Sequence, residues 1–135
     1  MIPDWVASYV GLPFKDHGRD LEGLDCWGLV RFILKQHYGI DTPDFGSNYS
    51  DTDDTVSVPQ AIKGGLPGTW LSTASPQAGD LIIIAIAGKP MHCGMVVAPG
   101  YMLHCVPNPG SCIESYDRPK WKRRVEGIYR HRSLL

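Results

Sequence analysis

The segment Leu81-Ile-Ile-Ile-Ala-Ile-Ala87 is apolar at every position and dominated by β-branched residues. Neither a helical stripe nor an in–out alternation survives in such a run, so it reads as a buried strand. Turn residues Pro76-Gln-Ala-Gly-Asp80 lead into it. Beyond it, Cys93–Ala98 and Tyr101–Val106 flank Pro99-Gly100, a hairpin signal, and Ser111–Ser115 and Gly127–His131 read as two further short strands. Helical patterns lie upstream. Asp4–Val10 reads as a short amphipathic helix between Pro3 and Gly11. Cys26–Tyr38 carries apolar residues at Trp27, Val30, Ile33, Leu34 and Tyr38, with Asp25 placed as N-cap and Gly39 as the terminating residue. A weaker helix is expected near Asp54–Lys63. Helices followed by a run of antiparallel strands give an α+β class, with N-terminal helices packed on a central antiparallel sheet in one domain spanning residues 1–135. Residues 11–24 read as loop. The irregular stretch 41–80 is long for a bare connection and is expected to shape a surface or a substrate groove.

Composition narrows the class further. With 43% hydrophobic and 20% charged residues the chain can build a core, which excludes disorder, collagen-like sequence and coiled coil. The longest apolar run falls far short of the ~18–20 residues of a membrane span, and the N-terminus carries no basic flank or apolar run of a signal peptide. No membrane insertion is expected, and a start in a cytoplasm is. Formal net charge is −1, yet residues 1–116 carry 6 Lys and Arg against 12 acids while residues 117–135 carry 7 against 2. The basic tail reads first as a solvated face and second as an anchor for an acidic partner. No nucleic-acid motif accompanies it. The four cysteines form no Cys-x-x-Cys pair, so a zinc ribbon or redox dithiol is not expected, and one reactive thiol among buried ones remains.

Cys26 is the candidate. A thiol in the first turn of a helix faces unpaired backbone amides and the positive end of the helix dipole, both of which favour thiolate. Gly28 points to something packed closely against that turn, either backbone or substrate. Position alone does not outweigh the commonest fate of a free cysteine, a small buried apolar residue. A base decides the matter. His92 stands just before one strand and His104 lies on the next. A three-residue loop Ala98-Pro99-Gly100 pairs His92 with Val106 and places both histidines on one face; a two- or four-residue loop separates them unless a bulge intervenes. On one face, one imidazole takes the thiol proton and the second group orients it.

The box Asp25-Cys-Trp-Gly-Leu-Val30, the strand entry Ala78-Gly-Asp-Leu81, His92-Cys-Gly-Met95 and a histidine twelve residues on resemble the NlpC-type cysteine peptidases, which are papain-like enzymes with a rearranged chain order. The likeness spans roughly residues 8 to 131. The loop Gly11–Arg19 and the end Trp121–Arg130 resemble the phage branch, small tail-assembly or tail-tip peptidases. The resemblance implies Cys26 as nucleophile, His92 as base, His104 as orienter and Asp25 as helix cap. It implies hydrolysis of peptidoglycan stem peptides between D-γ-glutamate and a diamino acid, with Phe14, Trp27 and Arg19 near the substrate. The implied partners are stem peptides and phage tail-tip proteins. The implied locations are the host cytoplasm during assembly, then the virion tail tip, acting in the periplasm or cell wall.

Three positions depart from the family pattern. Trp27 stands where many relatives have a small residue, Phe14 where many have tyrosine, and Cys93 where valine is common; by alternation Cys93 points away from His92 into the core. A different class of function is a tail-tip subunit that keeps the fold without needing hydrolysis. No cofactor is expected. A metal is not expected either, because adjacent strand residues such as His92 and Cys93 face opposite ways. His17 and Arg19, in the loop before the nucleophile, are placed to meet a substrate carboxylate, with a solvated loop as the alternative.

Overall fold

A computed structural model describes residues 1–135. A 3₁₀ turn at Asp4–Tyr9 replaces the expected short helix, and the loop after it contains a minute antiparallel pair, β1 (Arg19–Asp20) and β2 (Gly23–Leu24). Helix α1 (Cys26–Tyr38) and helix α2 (Ser57–Gly65) follow. The strands are β3 (Trp70–Ser72), β4 (Leu81–Ile86), β5 (Lys89–Ala98), β6 (Tyr101–Val106), β7 (Gly110–Ser115) and β8 (Val125–His131), with one helical turn, α3 (Pro119–Lys122), before the last. The six strands from β3 on form one sheet in the order β3-β8-β4-β5-β6-β7, every pairing antiparallel. No helix is long and apolar enough to cross a membrane.

The uniformly apolar run occupies the interior of this sheet as β4, between β5 and β8. Its alternate residues feed two cores, one on each face. Leu81 and Ile83 join Leu29, Val30, Ile33 and Leu34 of α1 with Cys93, Met95, Val97, Leu103 and Cys105. Ile82 and Ile84 join Val96, Met102, Tyr116 and Trp121 on the other side. Both faces are dry from Leu81 to Ile84, which is why those positions carry no polar residue, while Ile86 at the strand's end is exposed.

Helix α1 is defined at both ends by its own sequence. The Asp25 carboxylate accepts from the Gly28 amide at 2.8 Å, and Gly39, at φ 66°, ends the helix in the left-handed conformation. What packs against the first turn is backbone. A Cβ on Gly28 would stand 2.0 Å from the carbonyl oxygen of Gly18. Helix α2 begins three residues later than expected, and Asp54 caps it from outside by accepting from the Ser57 amide at 2.9 Å.

The β5–β6 hairpin decides where the histidines point. Its loop is the two residues Pro99-Gly100, with Ala98 opposite Tyr101, not the expected three. A bulge between Val96 and Ala98 then restores the register, so that Val96 faces Met102 and Met95 faces Leu103. One extra residue thus undoes the flip a two-residue loop imposes. His92 also lies within β5 and not before it.

Gly28→Ala is expected to destabilise the protein by about 1–3 kcal/mol, the usual cost of overpacking, because neither the helix nor the Gly18 backbone can give way cheaply. Urea denaturation of the two proteins measures it.

Candidate active site

The site starts from a buried carboxylate. Asp25 is fully buried, so its charge must be met by donors. Gly28 N–H and the Arg19 guanidinium donate to Oδ1, each at 2.8 Å, while the His17 amide at 3.0 Å and the Tyr49 hydroxyl donate to Oδ2. Burial and the neighbouring Cys26 push this carboxyl above its ordinary range, against the pull of Tyr49, Gly28 and Arg19. Asp25 therefore ties together the loop before α1, the helix start, and the irregular segment that carries Tyr49.

Cys26 comes next in the chain, partly exposed at the tip of α1. Its amide and that of Trp27 precede the first i→i−4 bond, Leu29 N–H to Asp25 C=O, and have no partner within the helix. The sulfur lies against Cys93 and close to His92. Its pKa is pulled well below the ordinary thiol range, chiefly by the Cys93 thiol and then, against burial, by His92 and the Cys93 backbone. Cys93 is shifted the opposite way by Cys26 and by burial. Cys93 does enter the α1-side core as alternation requires, and it also touches the nucleophile candidate.

His92 and His104 share the sheet face opposite α1, beside Trp121 of α3. Their rings are joined edge to edge, His92 Nε2 to His104 Nδ1, at 2.8 Å. Gly94 makes this approach possible. A Cβ there would stand 3.0 Å from His104 Cβ and 3.1 Å from the Leu103 carbonyl oxygen. His104 is fully buried, and its Nε2 lies 2.7 Å from Glu114 Oε2 on β7. Burial and the neighbouring His92 lower its pKa to about 4 despite Glu114. Glu114 is pushed up by its own partial burial, but Trp121, His104 and Lys120 outweigh this and leave it below the ordinary glutamate value.

Of the residues placed near a substrate by sequence, Trp27 lines a cavity of about 70 Å³ beside Cys26. Its indole donates to the Pro43 carbonyl at 3.0 Å. Phe45, Tyr49, Val58, Ile62 and Leu66 from the irregular segment and α2 complete much of the wall. Phe14 lies outside this cavity and packs on the α1-side core, bridged to Leu24. Arg19 is not free for a substrate carboxylate. All five of its N–H groups are spent inside the protein, on Asp44 Oδ1, Gly18 C=O, Asp25, Asp44 C=O and the Tyr49 hydroxyl. His17 is likewise engaged, stacked on Tyr49 with Nε2 at 2.9 Å from the Tyr49 carbonyl. Tyr49, Glu114 and Trp121 are the site residues that sequence reasoning missed. Three donors lie close enough for a metal, His104, Cys112 and Glu114, all within 4.8 Å, but His104 and Glu114 already bond each other there.

A pH dependence of stability follows from His104. Its folded pKa, about 4, lies below the ~6.5 of an exposed histidine, so between these values the unfolded chain binds the extra proton and stability falls as pH falls. The loss from this group across that window is on the order of 3 kcal/mol. Urea denaturation in steps from pH 7 to pH 4 measures it, and His104→Asn should remove this component of the slope.

Comparison with known proteins gives the same frame. The NlpC/P60 family model matches residues 11–130. Among curated relatives, the murein DD-endopeptidase MepS/murein LD-carboxypeptidase of Escherichia coli K12 is 24% identical over 123 residues, 91% of this chain and 57% of that protein. The gamma-DL-glutamyl hydrolase of Bacillus subtilis 168 is 25% identical over 132 residues, 96% of this chain and 28% of that one. Tail tip assembly protein K of Escherichia phage N15 is 27% identical over 130 residues, 91% of this chain and 51% of that one. The chain thus spans little more than half of these relatives at most. Among solved structures, the NlpC/p60 domain of the peptidoglycan hydrolase SagA superposes with a TM-score of 0.61 at 24% identity, covering 90% of this chain and 89% of that one. A Bacillus cereus family member gives 0.65 at 24% identity, covering 95% and 40%. By its sequence match and by its fold, the chain belongs to the NlpC/P60 family.

Proposed function

We propose that the protein is a cysteine peptidase that cleaves peptidoglycan stem peptides at a D-γ-glutamyl–diamino acid bond, working as one domain of a phage tail tip. The observation that carries this reading is the line from Cys26 through His92 to His104, with His92 Nε2 and His104 Nδ1 joined at 2.8 Å. His92 Nε2 faces His104, which leaves Nδ1 as its basic nitrogen. That nitrogen takes the proton of Cys26 as the sulfur attacks the scissile carbonyl. The unpaired amides at the start of α1 receive the oxyanion. His92 returns the proton to the leaving amine, and water, activated by the same ring, releases the acyl group from sulfur. Trp27 borders the cleft and is the substrate contact retained from the sequence reading. The murein-directed activity in the name of the E. coli relative supports the substrate class, and the similarity to the phage N15 protein supports the tail-tip setting; action in the periplasm or cell wall follows from the proposed substrate.

Purified protein under reducing conditions is expected to convert defined muropeptides to shortened products resolved by mass spectrometry. Cys26→Ala and His92→Ala should each lower turnover at least about a thousandfold, as loss of a nucleophile or its base does. A folded wild-type protein that leaves every muropeptide intact would favour a purely structural tail subunit.

A further inference from the structure

We propose that Glu114 is a positioning residue that acts through His104 on the Cys26–His92 pair, making the relay four members long. This deepens the peptidase reading and rests on it. An ionised carboxylate only accepts, so the 2.7 Å contact to Glu114 requires the proton of neutral His104 to sit on Nε2. His104 Nδ1 is then bare and accepts from His92 Nε2–H across 2.8 Å. His92 Nδ1 is bare in turn, the form a base needs. One carboxylate thus sets the tautomers of two rings.

It also supplies charge when the proton moves. Transfer from Cys26 to His92 creates a thiolate and an imidazolium, and the imidazolium charge spreads through the shared hydrogen bond toward a fixed negative group. His104 is fully buried under Trp121, so little water screens that attraction. The groups facing this line are few. Cys93, Cys105, Asp25 and Arg19 bear on the Cys26 end, Arg124 lies over the Trp121 ring that covers the histidines, and Cys112 and Lys120 bear on the Glu114 end, where Lys120 Nζ is 3.5 Å from Glu114 Oε1.

Replacing Glu114 by glutamine removes the charge and allows the amide N–H to face His104 Nε2. The proton of His104 then shifts to Nδ1 and forces the His92 proton onto the nitrogen that serves Cys26. The test is the rate of iodoacetamide alkylation against pH, with the modified cysteine identified by peptide mass spectrometry so that Cys112 is counted separately. In Glu114→Gln the apparent pKa of Cys26 should rise by about one unit, about a tenfold slower alkylation at pH values below it. Glu114→Asp, which keeps the charge, should recover part of that shift. Lys120→Met, which loosens the same surface and leaves the carboxylate, should not raise it. On muropeptides, Glu114→Gln should lower kcat with KM unchanged. An unaltered Cys26 profile in folded Glu114→Gln overturns the proposal, and so does an equal rise in Lys120→Met. Alkylation needs no substrate, so a protein inert toward muropeptides but showing the Glu114→Gln shift would sink the substrate assignment and leave the relay standing.

Discussion

A single buried charge organises the front of this molecule. Asp25 has no exposure to water, and an uncompensated carboxylate in that position would cost several kcal/mol. Its donors come from three stretches that share no regular secondary structure: the loop at His17 and Arg19, the first turn of α1, and Tyr49. Arg19 in turn grips Asp44, so the irregular segment is drawn over the helix tip. Further ties hold that segment: Trp27 and Arg31 donate to the Pro43 and Thr42 carbonyls, Thr52 N–H donates to Asp16, and Phe45 packs against Trp27. Cys26 is placed as a consequence. It follows Asp25 in the chain and inherits the exposed amides of a capped helix, while the cleft wall beside it is the segment that Asp25 recruited.

The opposite face of the sheet positions the proposed base by a separate device. The hairpin bulge near Ala98 sets the register, Gly94 lets the chains approach, and Trp121 covers the ring pair. The two halves meet at adjacent residues of β5: Cys93 faces the helix and touches the sulfur, and His92 faces away and touches His104. A strand therefore passes between nucleophile support and base support. In the proposed relay, Cys26 stands on one side of this strand and the carboxylate of Glu114 lies beyond two rings at a partly wetted edge.

The sequence made much of this legible, for reasons that differ by element. Helix α1 could be read from both ends because its cap, its apolar spacing and its terminating glycine are local signals. Strands β4 and β6 were equally plain. The shared face of His92 and His104 depended on a loop length that the sequence does not specify, and the actual solution, two residues plus a bulge, gives the register of the expected three. Glu114 was missed although the information was near at hand. Pairing β7 with β6 puts Glu114 opposite Met102, on the same face as His104 and one diagonal step away. Tyr49 carried no comparable signal. It lies in irregular chain, and its contact with Asp25 depends on tertiary closure alone. Arg19 was misplaced for a related reason: the carboxylates that consume its donors are a buried cap and a loop residue 25 positions away.

The charge asymmetry along the chain takes on a different meaning in three dimensions. A basic tail after an acidic body reads first as a solvated face and second as an anchor, yet the tail completes the fold. Strand β8 lies between β3 and β4, so the last strand in sequence is an interior strand of the sheet. Arg130 bonds both oxygens of the fully buried Asp80 at 2.9 and 2.8 Å, fixing the turn that launches β4. Lys120 stands by Glu114, and Trp121 seals His104 from water with Arg124 above its ring. Attraction between the halves thus serves closure first. Arg118, Lys122 and Arg123 remain as exposed cations without a side-chain partner in that strip, so most of the tail's charge is spent within the fold or against Trp121 and little is left free at the surface.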